Sequence, residues 1–227
     1  MIGTEIAVQA AQVGHEVTIF SRGVKRRTCH LSVNAIYGDR KNREEFKYCL
    51  KGLKFDAVID MAAYCPQDAA QTLAAFDGQV EHIVFASSVA AYQQPYGLLP
   101  LKEKDAVLRT DRHFAYGFQK AEMERFLTAC VSHSHLTVLR PSLTYGVEGH
   151  NVGVLRQNAN LAVRIKSGKP LLLFGDGLNP CHFTFVGDMA RAFVITLFNP
   201  LTYGRCFHVA SDETKTWQEF YSAIATL

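Results

Sequence analysis

Tyr116 and Lys120 stand four residues apart in "YGFQK". On a helix that spacing puts both side chains on one face. An ammonium near a phenol favours the phenolate and lowers the tyrosine pKa. The phenol can then give and take protons near neutral pH. Taken alone, the spacing also fits a solvated helix surface. A second stretch narrows the choice. "FASSVAAY", Phe85 to Tyr92, sets Ser87 and Ser88 directly after an apolar run. A hydroxyl at a strand end can hydrogen-bond a carbonyl or alkoxide oxygen, or it can cap the next turn. A serine at a strand end, a Tyr/Lys pair on the next helix and a nucleotide-type sheet together describe one reaction, hydride transfer at a carbinol carbon.

These side chains need a frame that gathers them at one edge. The sequence supplies an alternation of helices and strands. Thr4 to Val13 reads as a helix with Ile6, Ala7, Ala10 and Ala11 on one face. Val17–Phe20 and Ala35–Tyr37 read as strands, and Asn42 caps a helix running to about Leu50. "FDAVIDM" (Phe55 to Met61) and "HIVFA" (His82 to Ala86) read as buried strands, with a helix from about Pro66 to Phe76 between them. A long helix spans about His113 to Val131, followed by a strand at Leu136–Leu139. Strands apolar on both faces that alternate with helices predict a doubly wound parallel α/β sheet. Its ligands sit beyond the carboxyl ends of the strands.

From about Tyr145 the rhythm changes, and a helix reaches about Ser167. Phe183–Asn199 and Arg205–Ala210 read as a helix and a strand returning to the first unit, and Trp217–Thr226 as a terminal helix without a cap. The expected division is 1–145 with 181–210 as a dinucleotide-binding domain, and 146–180 with 211–227 as part of a substrate region.

Composition sets the outer limits. The chain has 227 residues, 48% hydrophobic and 20% charged, as in ordinary globular domains. A net charge of +3 is too small to indicate a nucleic-acid partner. No apolar run reaches the ~18 residues of a membrane span. The six cysteines form no C-x-x-C pair, which fits free thiols in a reducing cytoplasm. The nine histidines are dispersed, and no metal site is expected.

The ordered stretches "HEVTIFSRG", "YGDR", "FDAVIDMAAY", "FASSVAAY", "YGFQKAEMER", "LRPSLTYG", "FGDG" and "HFTFVGDMARAF" resemble the extended short-chain dehydrogenase/reductases, the NAD-dependent epimerase/dehydratase family. The run from "SRG" to "IDMAAY" looks closest to a branch that includes chloroplast stem-loop RNA-binding proteins. The resemblance implies a Rossmann-like fold and a nicotinamide cofactor. Tyr116 would be the general acid/base, Lys120 would hold the nicotinamide ribose, and Ser88 would bind the reacting oxygen. Asp39 with Arg40, and Ala62, Ala63 and Tyr64, would line the cofactor cleft. Ser87, the neighbour of Ser88, would bind the cofactor, and Pro141 and Ser142 would lie near the nicotinamide carboxamide. Gly3 matches the third glycine of the family's phosphate-binding fingerprint, so a first strand and two further glycines are expected ahead of it, in a chain read as truncated at its N-terminus.

Ser21 stands where an acidic residue would favour NAD, and Arg22 follows it, with Lys25, Arg26 and Arg27 close behind. Arginine suits a planar phosphate contact, so NADP is expected over NAD. Val89 and Ala90 replace the Asp-Glu pair of the family's dehydratases, which argues against dehydration. Cys181 and Phe185 stand where an arginine and a histidine are common in nucleotide-sugar enzymes. The expected function is a reductase or dehydrogenase acting on a small-molecule carbonyl or alcohol. A nucleotide-sugar epimerase with retained cofactor and a non-catalytic nucleotide- or RNA-binding member are the alternatives. A homodimer through the Tyr/Lys helix is common in the family.

Overall fold

The computed structural model describes residues 1–23, 33–97, 99–146 and 161–226. Lys25, Arg26, Arg27 and Cys29 lie outside the described residues, as does most of the "YGVEGHN" stretch. In chain order the elements are α1 (Ile2–Gln12), β1 (Thr18–Ser21), β2 (Asn34–Tyr37), α2 (Arg43–Leu50), β3 (Ala57–Asp60), α3 (Pro66–Phe76), β4 (His82–Ala86), α4 (Ala115–Cys130), β5 (His135–Pro141), β6 (Leu143–Tyr145), α5 (Leu161–Lys166), β7 (Pro180–Phe185), α6 (Val186–Thr196), β8 (Arg205–Val209), β9 (Thr214–Thr216) and α7 (Trp217–Ala225).

Local chemistry accounts for several boundaries. The Asn42 side chain accepts the Glu45 N–H at 3.2 Å and starts α2. Pro66 opens α3, where its missing N–H costs nothing. Thr216 and Glu219 form a reciprocal capping box at the start of α7.

The main sheet has the order β3-β4-β5-β8, all parallel. Its register pairs Asp60 with Phe85, Ala86 with Leu139, and Pro141 with Val209. The carboxyl ends of four strands therefore form one edge. β1 and β2 form a separate parallel pair, and among the described residues no strand joins β1 to β3. Successive side chains of a strand point to opposite faces. On β4, Ile83 and Phe85 join the core under α3 and α4, with Leu73, Met123 and Leu127. Val84 and Ala86 join the core under α1 and α6, with Ile6, Met189 and Phe193. This two-sided burial is the doubly wound α/β arrangement read from the sequence.

The C-terminal part departs from expectation. Phe183 to Phe185 belong to β7 rather than to the helix that follows. β6, β7 and β9 make a small mixed sheet, packed by Phe183, Trp217 and Tyr221. The Phe183 and Phe220 rings stack at 3.9 Å. The boundaries at 145 and 181 therefore cut through this sheet. Three-residue strands are too short to show a period of two, so β6 and β9 left no signal. The terminal helix is also capped, because the Thr226 N–H donates to Ser222 and its hydroxyl donates to Ala223 at 2.9 Å. Among the described residues, no helix is long and apolar enough to cross a membrane.

Phe193 is fully buried where α6 meets the sheet. Phe193→Ala should cost about 3–5 kcal/mol in urea unfolding, the usual penalty for emptying such a site. A loss below ~1 kcal/mol would contradict the packing described.

Candidate active site

α4 carries Tyr116 and Lys120 one turn apart, facing the carboxyl edge of the sheet. The Lys120 ammonium is 2% exposed. It donates to the Ala63 and Ala86 carbonyls, each at 2.6 Å. These carbonyls lie just beyond β3 and at the end of β4, so one charge ties both strand ends to α4. The Tyr64 ring lies over the ammonium at 4.8 Å. Burial pulls the Lys120 pKa down to about 8, and the Asp60 and Glu124 carboxylates limit the fall.

The Tyr116 side chain is 41% exposed, yet the pKa of its phenol is raised rather than lowered. Burial is the largest cause, the neighbouring Ser88 hydroxyl opposes it, and Tyr64 adds to the rise. The expected lowering by Lys120 is thus not seen. The ammonium is spent on two carbonyls and an aromatic face, and does not reach the phenol.

Ser88 is extended, and its side chain accepts the Ala90 N–H at 3.1 Å at the start of a short 3-10 turn, Val89–Ala91. Ser88 therefore caps this turn, the bond that its residue type and place allowed. Gly117 brings α4 against the turn. A Cβ there would lie 2.2 Å from the Ala90 carbonyl oxygen. Only a glycine lets α4 press against the turn that carries Ser88.

The remaining expected residues divide. Ala62 and Ala63 sit beyond β3, where their N–H groups donate to Asp60 Oδ1 at 2.8 and 2.9 Å. Ser142 bonds the Thr184 hydroxyl at 2.6 Å and follows Pro141 at the end of β5, on the same edge. Gly3 is exposed on the first turn of α1 and close to Met61. Ser21 and Arg22 are exposed at the end of β1. Arg22, Asp39, Tyr37, Gly38 and Glu45 line a cleft of about 340 Å³. Arg40 is not available to a ligand as expected. Its guanidinium grips Asp60 at 2.8 and 3.0 Å and the Asp68 carbonyl at 2.9 Å. Ser87 is buried and its hydroxyl donates to Glu124.

Sequence reasoning missed Asp60, Gly117, Glu124 and Arg140. Two signals were available. Asp60 ends an otherwise apolar strand, and Glu124 follows Lys120 by four residues on the inward face of α4. Among the described residues there is no cluster able to hold a metal ion.

Gly117→Ala should push α4 off the Ala90 carbonyl and cost about 1–3 kcal/mol, as overpacking does. Thermal unfolding measures this. An unchanged melting temperature would show that the helix does not depend on this approach.

The chain is similar to known proteins over nearly all of its length. The chain is 27% identical over 225 residues to a 2'-dehydrokanamycin reductase of Streptomyces kanamyceticus, covering 98% of this chain and 62% of the relative. It is 25% identical over 237 residues to the chloroplast stem-loop binding protein of 41 kDa b of Arabidopsis thaliana, covering 99% of this chain and 60% of the relative. The chain thus spans about three-fifths of the length of these curated relatives. In fold it is similar to a Thermus thermophilus UDP-glucose 4-epimerase solved with NAD, with a TM-score of 0.81, 22% identity and coverage of 100% of this chain and 79% of that one. The family model for NAD dependent epimerase/dehydratases matches residues 1–207, and the chain belongs to that family.

Proposed function

We propose that the protein is an NAD(P)-dependent oxidoreductase that reduces a ketone or oxidises a secondary alcohol. The observation that supports this reading is the placement of Ser88, Tyr116 and Lys120 at one sheet edge, where α4 packs on the turn after β4. A bound nicotinamide dinucleotide supplies or accepts the hydride. The Ser88 hydroxyl holds the substrate oxygen. Tyr116 gives that oxygen a proton during reduction and takes it back during oxidation. Lys120 holds the ribose hydroxyls through its ammonium and, once drawn toward them, favours the Tyr116 phenolate.

The residues present fit the adenosine end of such a cofactor. Arg22 in the 340 Å³ cleft suits a 2'-phosphate, while Asp39 and Glu45 there suit hydroxyl or amino donors. We read this as NADP before NAD. The similarity to a reductase supports net reduction. The second reading, a nucleotide-sugar epimerase with retained cofactor, is supported by the fold shared with the UDP-glucose 4-epimerase. Release of oxidised cofactor with each turnover separates the two.

Calorimetric titration should show tighter binding of NADPH than of NADH. The reverse order would remove the argument from Arg22. With NADPH and a panel of ketones, Tyr116→Phe should lose at least about a hundredfold in turnover, the usual worth of a positioned proton donor. Turnover equal to that of the unmodified chain would overturn the assignment.

The pH response has a defined sign. Lys120 is charged below its pKa of about 8 and neutral above it. If its ammonium holds the ribose, cofactor affinity is full below pH 8 and falls as pH rises above 8. Lys120→Met should bind weakly at every pH and lose this dependence. A variant that keeps the same fall above pH 8 would assign it to another group.

A further inference from the structure

Tyr116 and Lys120 are two members of a longer stripe. Glu124 lies one turn further along the same face of α4. Two of the three bond the corner that ends β4. Lys120 donates to the Ala86 carbonyl. Glu124 accepts the Ser87 hydroxyl. Tyr116 stands on the first turn of α4, which packs through Gly117 against the Val89–Ala91 turn that Ser88 opens.

Glu124 is 2% exposed, and its charge is met from β5. Arg140 donates from Nε to both carboxylate oxygens at 3.0 Å and from Nη2 to Oε2 at 2.5 Å. Arg140 Nη1 also donates to the Tyr92 hydroxyl at 3.2 Å. The Ser87 N–H is fixed by the Leu139 carbonyl at 2.7 Å. Stability alone is a weak reason for such a pair, since apolar residues of similar volume often replace a buried ion pair without loss. What an apolar pair could not supply is a fixed acceptor for the Ser87 hydroxyl, one residue before Ser88.

We propose that Glu124 and Arg140 are positioning residues: the buried pair locks Ser87, and through it sets the Ser88 hydroxyl against the Tyr116 phenol. The inference rests on reading Ser88, Tyr116 and Lys120 as the reacting centre. The loss of turnover in Tyr116→Phe tests that reading separately.

The test of the lock is spectroscopic and needs no substrate. The protein is labelled with ζ-13C tyrosine, and the Tyr116 resonance is assigned by its loss in Tyr116→Phe. Ser87→Ala removes one hydroxyl and leaves Arg140 all its bonds to Glu124, so the fold should survive. The Tyr116 resonance should move in this variant, because the Ser88 contact loosens. Ser87→Thr, which keeps the hydroxyl, should restore it. An unmoved resonance in folded Ser87→Ala would overturn the proposal, since the backbone alone would then hold the corner. Unfolding of Ser87→Ala would overturn it equally, because the bond would serve the fold rather than the site.

Discussion

The charge of Lys120 is the constraint around which the site is built. A buried ammonium must be met by acceptors, or burial would strip its proton. Here the acceptors are the carbonyls of Ala63 and Ala86, so satisfying the charge draws together α4 and the ends of two neighbouring strands. Both acceptor loops are held by buried ion pairs. Asp60 fixes the N–H groups of Ala62 and Ala63 and is gripped by Arg40. Glu124 fixes Ser87 and is gripped by Arg140. The two carboxylates also favour the protonated lysine, which keeps its charge in a buried site.

This arrangement directs the Lys120 ammonium to carbonyls rather than to the Tyr116 phenol. The Lys120 ammonium is occupied, the Tyr64 ring covers it, and the Tyr116 phenol holds its proton more firmly than a free tyrosine.

Much of the frame was legible in the sequence, because long elements carry their own periodicity. "HIVFA" is apolar on both faces, and the structure buries every residue of it. "YGFQK" sits on α4 as its spacing required. What was not legible depends on meetings between distant segments. The strands β6 and β9 have three residues each and exist because β7 pairs with them. Arg40 was read as a cofactor contact from the family resemblance, beside Asp39. Its commitment to Asp60, twenty residues on, is a tertiary fact. The sign of the Tyr116 shift was missed for the same reason. Spacing places lysine and tyrosine on one face, but the carbonyls of Ala63 and Ala86 decide where the ammonium points.

The most direct measurement follows the Lys120 ammonium itself by 15N NMR, assigned through Lys120→Met, with and without NADPH. The account predicts titration near pH 8 in the free protein, and a shift of that midpoint when NADPH is added. A lysine that titrates at its ordinary value and ignores NADPH would contradict the central role given to this charge.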